Sequence, residues 1–160
     1  MRSARPGRVK TRYEVVQNPF SLLRPDDERA VRSLCAERGV AFTPYSPLAG
    51  GALTGKYQRG AAFPAGSRLA LRPDGVDEML TPAAYGSIDR LRGAAEDRHG
   101  VECGALALAC LLHHPDVSAA VVGPSRHAPH LGLAVQARNV VLSQSEFGEI
   151  ASWFRPAGAT

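Results

Sequence analysis

A strand, helix, strand pattern near the start of the chain limits the fold more than any other feature of the sequence. A strand predicted at residues 13–17 ends at Pro19, because proline cannot continue a ladder of hydrogen bonds. A helix with Pro25 and three acids in its first turn then runs to Gly39, and residues 40–43 form a second apolar strand. Tight links of this kind are typical of a parallel βαβ unit, so the predicted fold class is α/β with a parallel sheet.

The rest of the chain contains one more predicted strand and four predicted helices. The strand is a buried apolar run at residues 117–122. The helices run from Thr81 to Gly100, from Glu102 to Leu112, from His130 to Arg138, and from Ser143, which forms a capping box with Glu146 and buries Phe147, Ile150, and Trp153 or Phe154. Residues 46–82 show no lasting periodicity, and a connection of that length is usually functional.

Composition places the chain among folded proteins. It has 160 residues, of which 44% are hydrophobic and 21% are charged, enough for one sizeable core. The longest apolar run, residues 103–112, is shorter than the roughly 18 residues of a membrane-spanning helix, and no apolar stretch follows the basic start. No membrane segment or secretory signal is predicted, and the cytoplasm is the expected compartment. Cys35, Cys103 and Cys110 are expected to be buried free thiols, with no metal site.

The positive charge of the chain is concentrated at its start. The formal net charge is +4, and the remainder of the chain is nearly neutral once residues 1–12 are set aside. The five cations of that segment are Arg2, Arg5, Arg8, Lys10 and Arg12. No aromatic residue alternates with them and no recognition helix follows, so residues 1–12 are predicted to be a disordered basic start and nucleic-acid binding is not expected.

Two loops that follow predicted strands suit a phosphate group. Residues 45–51 and 123–126 are rich in small residues, which let backbone N–H groups approach an anion, and a helix N-terminus after each loop adds positive charge. Ligands of parallel α/β folds bind at the carboxyl ends of strands, where these loops lie. Lys56, Arg68 and Arg126 are available as countercharges. The alternative is that the glycines and prolines only turn the chain and the cations are solvated.

Six motifs follow one another along the chain, at Gln17–Leu23, Tyr45–Tyr57, Gly66–Arg68, Ala105–Ala107, His114–Val117 and Val122–Arg126. The second, YSPLAGGALTGKY, is the most specific. In this order the motifs resemble the C-terminal half of an aldo-keto reductase, over about residues 13–154. The resemblance implies a partial (β/α)8 TIM barrel of about three parallel strands with flanking helices, in which residues 13–160 form the NADP-binding part.

The resemblance also implies a site for NADP(H). The positions that match the family's cofactor-binding positions are Gln17, Tyr45, Ser46, Pro47, Leu48, Gly51, Lys56, Arg68, Gly123, Ser125, Arg126 and His130. Gln17 is implied to bind the nicotinamide carboxamide, and Tyr45 to stack on the nicotinamide ring. From the residues alone, a backbone partner for Gln17 and a core position for Tyr45 are the favoured alternatives.

The two loops are implied to bind the other parts of the cofactor. By the same resemblance, the pyrophosphate is lined by Ser46, Pro47, Leu48 and Gly51, and Lys56 and Arg68 add positive charge there. The 2′-phosphate of the adenosine ribose is implied to be surrounded by Gly123, Ser125 and Arg126, and this cationic setting favours NADP over NAD. His130 lies in the stretch that contacts adenine in the family, and this stretch departs from the family's Gln and Glu-Asn pattern.

No catalytic residue is carried over. The family's tyrosine, lysine, aspartate and histidine all precede the position that matches Tyr13. Residues 81–86 resemble the segment of the catalytic tyrosine, but they lack the preceding aspartate, so Tyr85 is not expected to act as an acid. His99, His113 and His114 are expected to interact with helix-terminal carbonyl groups rather than with a substrate.

Three functions stay open. The chain is expected to be the NADP(H)-binding half of a carbonyl reductase and to be inactive alone. One alternative is a non-catalytic module that senses NADP(H) or binds a partner. Another is one chain of a split reductase. A small aldehyde or ketone substrate is expected only if an N-terminal half completes the site. Three parallel strands cannot close a barrel, so self-association through the open sheet edges is expected.

Overall fold

The parallel sheet predicted near the start of the chain is present and short. The computed structural model describes residues 13–25, 29–123 and 129–155. Strand β1, Val15–Val16, pairs in parallel with strand β2, Ala41–Phe42, with Val15 opposite Ala41, and helix α1, Arg29–Arg38, connects them. The βαβ prediction is therefore confirmed. The strands are shorter than predicted, and among the described residues β1 has a ladder partner on one side only.

The third predicted strand is present only as an isolated bridge. Ser118 donates its N–H to the carbonyl of Phe42 at 2.9 Å, and Val121 donates to that of Pro44 at 2.8 Å. Tyr45 and Val121 form a single parallel bridge. The predicted parallel orientation is confirmed. The predicted burial is wrong at Val121, whose side chain is 41% exposed. Val117, Ala120 and Val122 are partly buried against the core, so the run is covered on one side only.

Helices make up most of the described structure. After α1 they are α2, Arg68–Leu71; α3, Val76–Met79; α4, Pro82–Ala94; α5, Cys103–His113; α6, Pro129–Asn139; and α7, Gln144–Ser152. A 3₁₀ segment, Ala49–Thr54, precedes α2, and a π-helical turn, Ala95–His99, extends α4. The four helices predicted after residue 80 are confirmed. The basic segment 1–12 and the acids at 26–28 lie outside the described residues.

Helix starts follow the predicted capping residues. The Thr81 hydroxyl accepts the N–H of Ala84 at 3.2 Å, and the Ser143 hydroxyl accepts that of Glu146 at 3.1 Å. The second half of the predicted capping box is wrong, because the Glu146 carboxylate lies 3.0 Å from His99 Nε2 instead. That contact joins α7 to the π-helical turn. Helix α7 is anchored by Ile150, which is fully buried, while Phe147 and Trp153 are half-buried and Phe154 is buried.

Helix α5 is the centre of the core. Every residue from Cys103 to Leu111 is buried, and α5 packs against the 3₁₀ segment, α4, α6 and α7. A helix that is apolar on all sides needs neighbours on all sides, which explains the layer of helices around it. None of the described helices has the length and apolar character needed to cross a bilayer.

The three cysteines are free and buried, as predicted. Burial raises the pKa of the Cys103 thiol to about 11 and that of the Cys110 thiol to about 12. Both side chains therefore stay as neutral thiols at pH 7, and the thiolate is the reactive form. No group of three potential metal ligands occurs within the described ranges.

Candidate functional site

A groove of about 580 Å³ opens where β2 ends. Of the residues predicted to bind a cofactor, it collects Tyr45, Ser46, Pro47, Leu48, Gly51, Lys56, Arg68 and Gly123. Other residues of its lining were not predicted: Gly50, Thr54, Gly66, Ser67, Leu71, Val121 and Val122. Residues that are distant in the sequence therefore meet in one concave surface, at the carboxyl ends of β2 and the bridging segment.

The loop at residues 46–51 has an unusual backbone. Ser46 and Ala49 have φ angles of 56° and 48°, in the left-handed region that non-glycine residues rarely enter. Two turns hold this shape, since Ala49 donates its N–H to Ser46 and Gly51 donates to Leu48, both at 2.9 Å. These N–H groups are therefore engaged within the loop. The helix N-terminus expected after the loop is absent, because the 3₁₀ segment is interrupted at Gly50 and Gly51.

The backbone favours glycine at position 51, and the absence of a side chain there lets Lys56 approach. The φ angle of Gly51 is 91°, and a Cβ atom there would lie 2.9 Å from both Cε and Nζ of Lys56. The lysine amine thus rests directly against the loop backbone. It also lies 5.2 Å from the centre of the Tyr57 ring, within the range of a cation–π contact. The positive charge is held at the groove wall by these two contacts.

Helix α2 forms the opposite wall. The Ser67 hydroxyl accepts the N–H of Ala70 at 3.4 Å and caps the helix, and Leu69 is buried beneath it. Arg68 remains exposed on the groove side. With Lys56, it supplies two cations, and no carboxylate occurs among the described lining residues. The groove is therefore suited to an anionic ligand.

Tyr57 joins the two walls, and the sequence motif did not assign it a role. Its hydroxyl donates to the carbonyl of Gly50 at 3.2 Å and accepts the N–H of Leu69 at 3.3 Å. Its ring packs edge-on against Phe63, with 5.2 Å between ring centres. The available signal was one of two aromatic residues in the Gly-rich connection, and such a residue is more easily explained as core than as part of a site.

Tyr45 is not a core residue. Its side chain is 44% exposed and faces the groove. Its backbone N–H donates to the carbonyl of Asn18 at 3.1 Å, so the end of β1 lies beside it. Gln17 is exposed there but is not among the groove-lining residues.

Three of the predicted residues are not described in full. Ser125 and Arg126 lie outside the described residues, and so does the side chain of His130, although its backbone belongs to α6. Tyr85 is half-buried on α4, packs against the core and is absent from the described lining of the groove.

A second cavity, of about 430 Å³, surrounds the buried Arg32. The Arg32 guanidinium donates to His114 Nε2 at 2.7 Å, lies 3.4 Å from the Asp116 carboxylate and stacks over the Phe20 ring at 4.3 Å. Burial lowers the pKa of His114, and the arginine lowers it further, while Asp116 raises it. The imidazole is therefore a neutral acceptor. This cluster fixes the end of α5 against α1.

The predicted carbonyl partners of two histidines are wrong. His114 bonds to the Arg32 side chain and His99 to Glu146. The His113 ring packs beside Phe147, with ring centres 5.1 Å apart. A charged or aromatic partner from another helix competes successfully with the helix's own terminal carbonyls.

Comparisons with known proteins point to the family that the six sequence motifs resemble. The sequence model of the Aldo/keto reductase family matches residues 7–154. Protein tas of Escherichia coli is 33% identical over 144 residues, which are 87% of this chain and 39% of that protein. The L-glyceraldehyde 3-phosphate reductase of Escherichia coli is 34% identical over 140 residues, covering 84% and 39%. The chain spans about two fifths of the length of these relatives.

A solved structure and a plant protein extend the comparison. The glycerol dehydrogenase of Gluconobacter oxydans superposes with a TM-score of 0.69 at 20% identity, covering 91% of this chain and 45% of that one. At this identity the likeness shows a shared α/β fold. A probable voltage-gated potassium channel subunit beta of Arabidopsis thaliana is 35% identical over 97 residues, or 59% of this chain and 29% of that protein.

Proposed function

This chain belongs to the aldo/keto reductase family, and from that premise we propose that its groove binds NADP(H). The observation that carries the proposal is the lining of the groove. It combines Lys56 and Arg68, with no carboxylate among the described lining residues, and an exposed aromatic ring at Tyr45. A dinucleotide with a nicotinamide ring needs both features, a flat surface and a positively charged wall.

The residues present fit the parts of such a cofactor. In this proposal Tyr45 stacks on the nicotinamide ring and Gln17, at the neighbouring strand end, binds its carboxamide. Ser46, Pro47, Leu48 and Gly51 line the pyrophosphate, and Gly51 lets the Lys56 amine stand against the loop there. Lys56 and Arg68 neutralise the charge of the pyrophosphate. Gly123, with Ser125 and Arg126, binds the 2′-phosphate, and His130 lies near the adenosine end.

The proposed reaction is a hydride transfer. When bound, NADPH supplies a hydride to the carbonyl carbon of an aldehyde or ketone. The residues of this chain bind the cofactor and orient it, and the proposal assigns none of them as the acid that protonates the carbonyl oxygen. Tyr85, on the core side of α4, is not among the groove-lining residues. We therefore expect the chain alone to bind NADPH without reducing a carbonyl.

Two sets of exposed apolar side chains, called flanks below, support a partial (β/α)8 barrel that works with further barrel strands. The first set lies at β1 and on α1 and consists of Tyr13, Val15 and Leu34; the second lies on the bridging segment and on α6 and consists of Val121, Leu131 and Val135. In a closed barrel each strand has a neighbour on both sides, and each crossover helix packs between others. The flanks are then the faces that the remainder of a barrel covers, in the same protein or in a separate chain, and the faces through which isolated copies associate.

The binding proposal is tested by titrating the purified chain with NADPH and following the fluorescence of the cofactor. Saturable binding is expected. Lys56→Gln and Arg68→Gln should each raise the Kd about tenfold or more, since a hydrogen bond to a charged group contributes roughly 1.5–3 kcal/mol. Arg138→Gln is the matched control, because it removes the same charge from an exposed position on α6.

The result that would overturn the proposal is the absence of saturation at millimolar NADPH, or an equal loss of affinity in all three variants. The same samples then receive a panel of aldehydes. Oxidation of NADPH by the unaltered chain that is abolished by Tyr85→Phe would show that this chain does carry its own acid.

A further inference from the structure

Tyr57 lies behind the groove, where its hydroxyl reaches both walls. The side chain is only 2% exposed and is not among the groove-lining residues. Its Oη donates to Gly50 in the loop and accepts the N–H of Leu69 in α2, at 3.2 and 3.3 Å. One atom therefore connects the wall that holds Lys56 to the wall that holds Arg68.

The covalent connection between the walls is long and exposed. Residues 58–62 and 64–66 are exposed, and only Phe63 turns inward, onto the Tyr57 ring. Because Phe63 alone anchors this segment to the core, the segment contributes little to fixing the separation of the walls. The Tyr57 hydroxyl provides a buried link of two hydrogen bonds between the same ends.

The ring of Tyr57 also supports one of the two cations. Lys56 Nζ lies 5.2 Å from the ring centre and against Gly51. The tyrosine thus contacts the loop through Gly50, the helix through Leu69 and the cation through its ring. Each of these three contacts bears on where Lys56 and Arg68 stand relative to each other.

We propose that Tyr57 is a positioning residue that sets the separation of Lys56 and Arg68, and thereby the affinity of the groove for the pyrophosphate of NADP(H). The inference rests on the proposed function of the groove. A phenylalanine ring packs equally well on Phe63 but leaves Gly50 and Leu69 without their partner. The loop and α2 then separate to regain hydrogen bonds with water, and the two cations no longer face one pyrophosphate.

The test is a double-mutant cycle of NADPH titrations on the unaltered chain, Tyr57→Phe, Arg68→Gln and the double variant. Tyr57→Phe should raise the Kd about tenfold. In the Arg68→Gln background the same change should raise it less than about twofold, because residues that act together are not additive. Tyr85→Phe is the matched control, since it removes a tyrosine hydroxyl away from the groove and should leave the Kd unchanged.

The outcomes separate this inference from the proposed function. An unaltered chain that fails to bind NADPH overturns both. Unchanged affinity in Tyr57→Phe, or an equal fold-loss in both backgrounds, overturns the role of Tyr57 alone, since a general structural effect would multiply with any other change.

Amide hydrogen exchange on the unaltered chain gives a measurement that does not depend on the folding of any variant. Leu69 lies in the first turn of α2, where an N–H group has no helical acceptor. Its protection therefore reports on the Tyr57 hydroxyl. We expect the Leu69 amide to be protected and to become more protected with NADPH; exchange at the rate of an open amide would contradict the proposal.

Discussion

Helix α5 and the loops of the groove contact each other but differ in the residues that form them and in their backbone conformation. Every side chain from Cys103 to Leu111 is buried in apolar contacts. The groove loops, in contrast, contain left-handed residues, exposed cations and glycines that leave space for a neighbour. The two regions meet at Gly104, where a Cβ atom would lie 3.3 Å from Thr54 Cγ2 of the groove.

This difference indicates that α5 mainly provides the stability of the chain and that the loops mainly provide its ligand binding. The contribution of α5 to stability comes from many apolar contacts around each buried side chain, whereas each feature of the groove depends on one or two contacts. A rigid scaffold that positions irregular loops is the usual arrangement of binding sites in α/β proteins. Changes in α5 should therefore act on unfolding, and changes in the loops should act on NADPH affinity.

The largest expected effect comes from the core. Leu106→Ala should lower the free energy of unfolding by about 2–5 kcal/mol, because Leu106 is fully buried and its truncation leaves a cavity. Urea denaturation measures the change. Val141→Ala is the control, since Val141 is exposed and should change the free energy by less than about 0.5 kcal/mol. A Leu106→Ala chain that is as stable as the control would contradict the assignment of α5 as the centre of the core.

The next effect distinguishes strain from positioning in the groove. Gly51→Ala and Gly60→Ala both force alanine into a left-handed conformation, at a cost of about 1–2 kcal/mol of stability each. Only Gly51→Ala also displaces the Lys56 amine, since nothing lies near the Cβ position of Gly60. NADPH affinity should fall in Gly51→Ala alone, as measured by fluorescence titration. Equal affinities in the two variants would show that the position of Lys56 does not matter.

The smallest effect is a pH dependence that belongs to the scaffold and not to the groove. Burial and Arg32 lower the pKa of His114 in the folded chain, while Asp116 raises it. The imidazole also faces the rings of Phe20 and Phe147, and Arg29 and Arg155 line the same cavity. As the pH falls through about 6.5, the unfolded chain takes up the proton first. Stability should therefore fall between pH 7.5 and pH 5.5.

Urea midpoints at the two pH values measure this change. His114→Gln keeps an acceptor for Arg32 and cannot be protonated, so its stability should depend less on pH. A pH dependence equal to that of the unaltered chain would assign the effect to other groups. NADPH affinity relative to the unaltered chain should not change in this variant, because His114 is not among the groove-lining residues.

Much of the fold was predictable because its signals are local. Thr81 and Ser143 mark helix starts, and each bonds an N–H three residues away. The motif at residues 45–57 likewise indicated the loop that forms most of the groove. Ordinary properties of neighbouring residues were sufficient for both.

The errors arose where a partner comes from a distant part of the chain. The Glu146 carboxylate was expected to close its own capping box, and the Arg98 and His99 side chains draw it to the π-helical turn. Val121 was expected to be buried, but burial needs a covering element that an apolar run does not specify. Neither outcome can be obtained from the spacing of residues along one segment.

The sequence by itself determined the α/β class, the ends of the long helices, the apolar character of α5 and the family of the chain. Each of these depends on residues within a few positions of one another, or on motifs in a given order. Tertiary structure alone decided that Tyr57 joins two walls, that Lys56 rests on Gly51 and that Tyr45 is exposed. The physical reason is that such contacts depend on how α2 and the groove loop pack together in three dimensions, and the sequence pattern of either segment does not contain that distance.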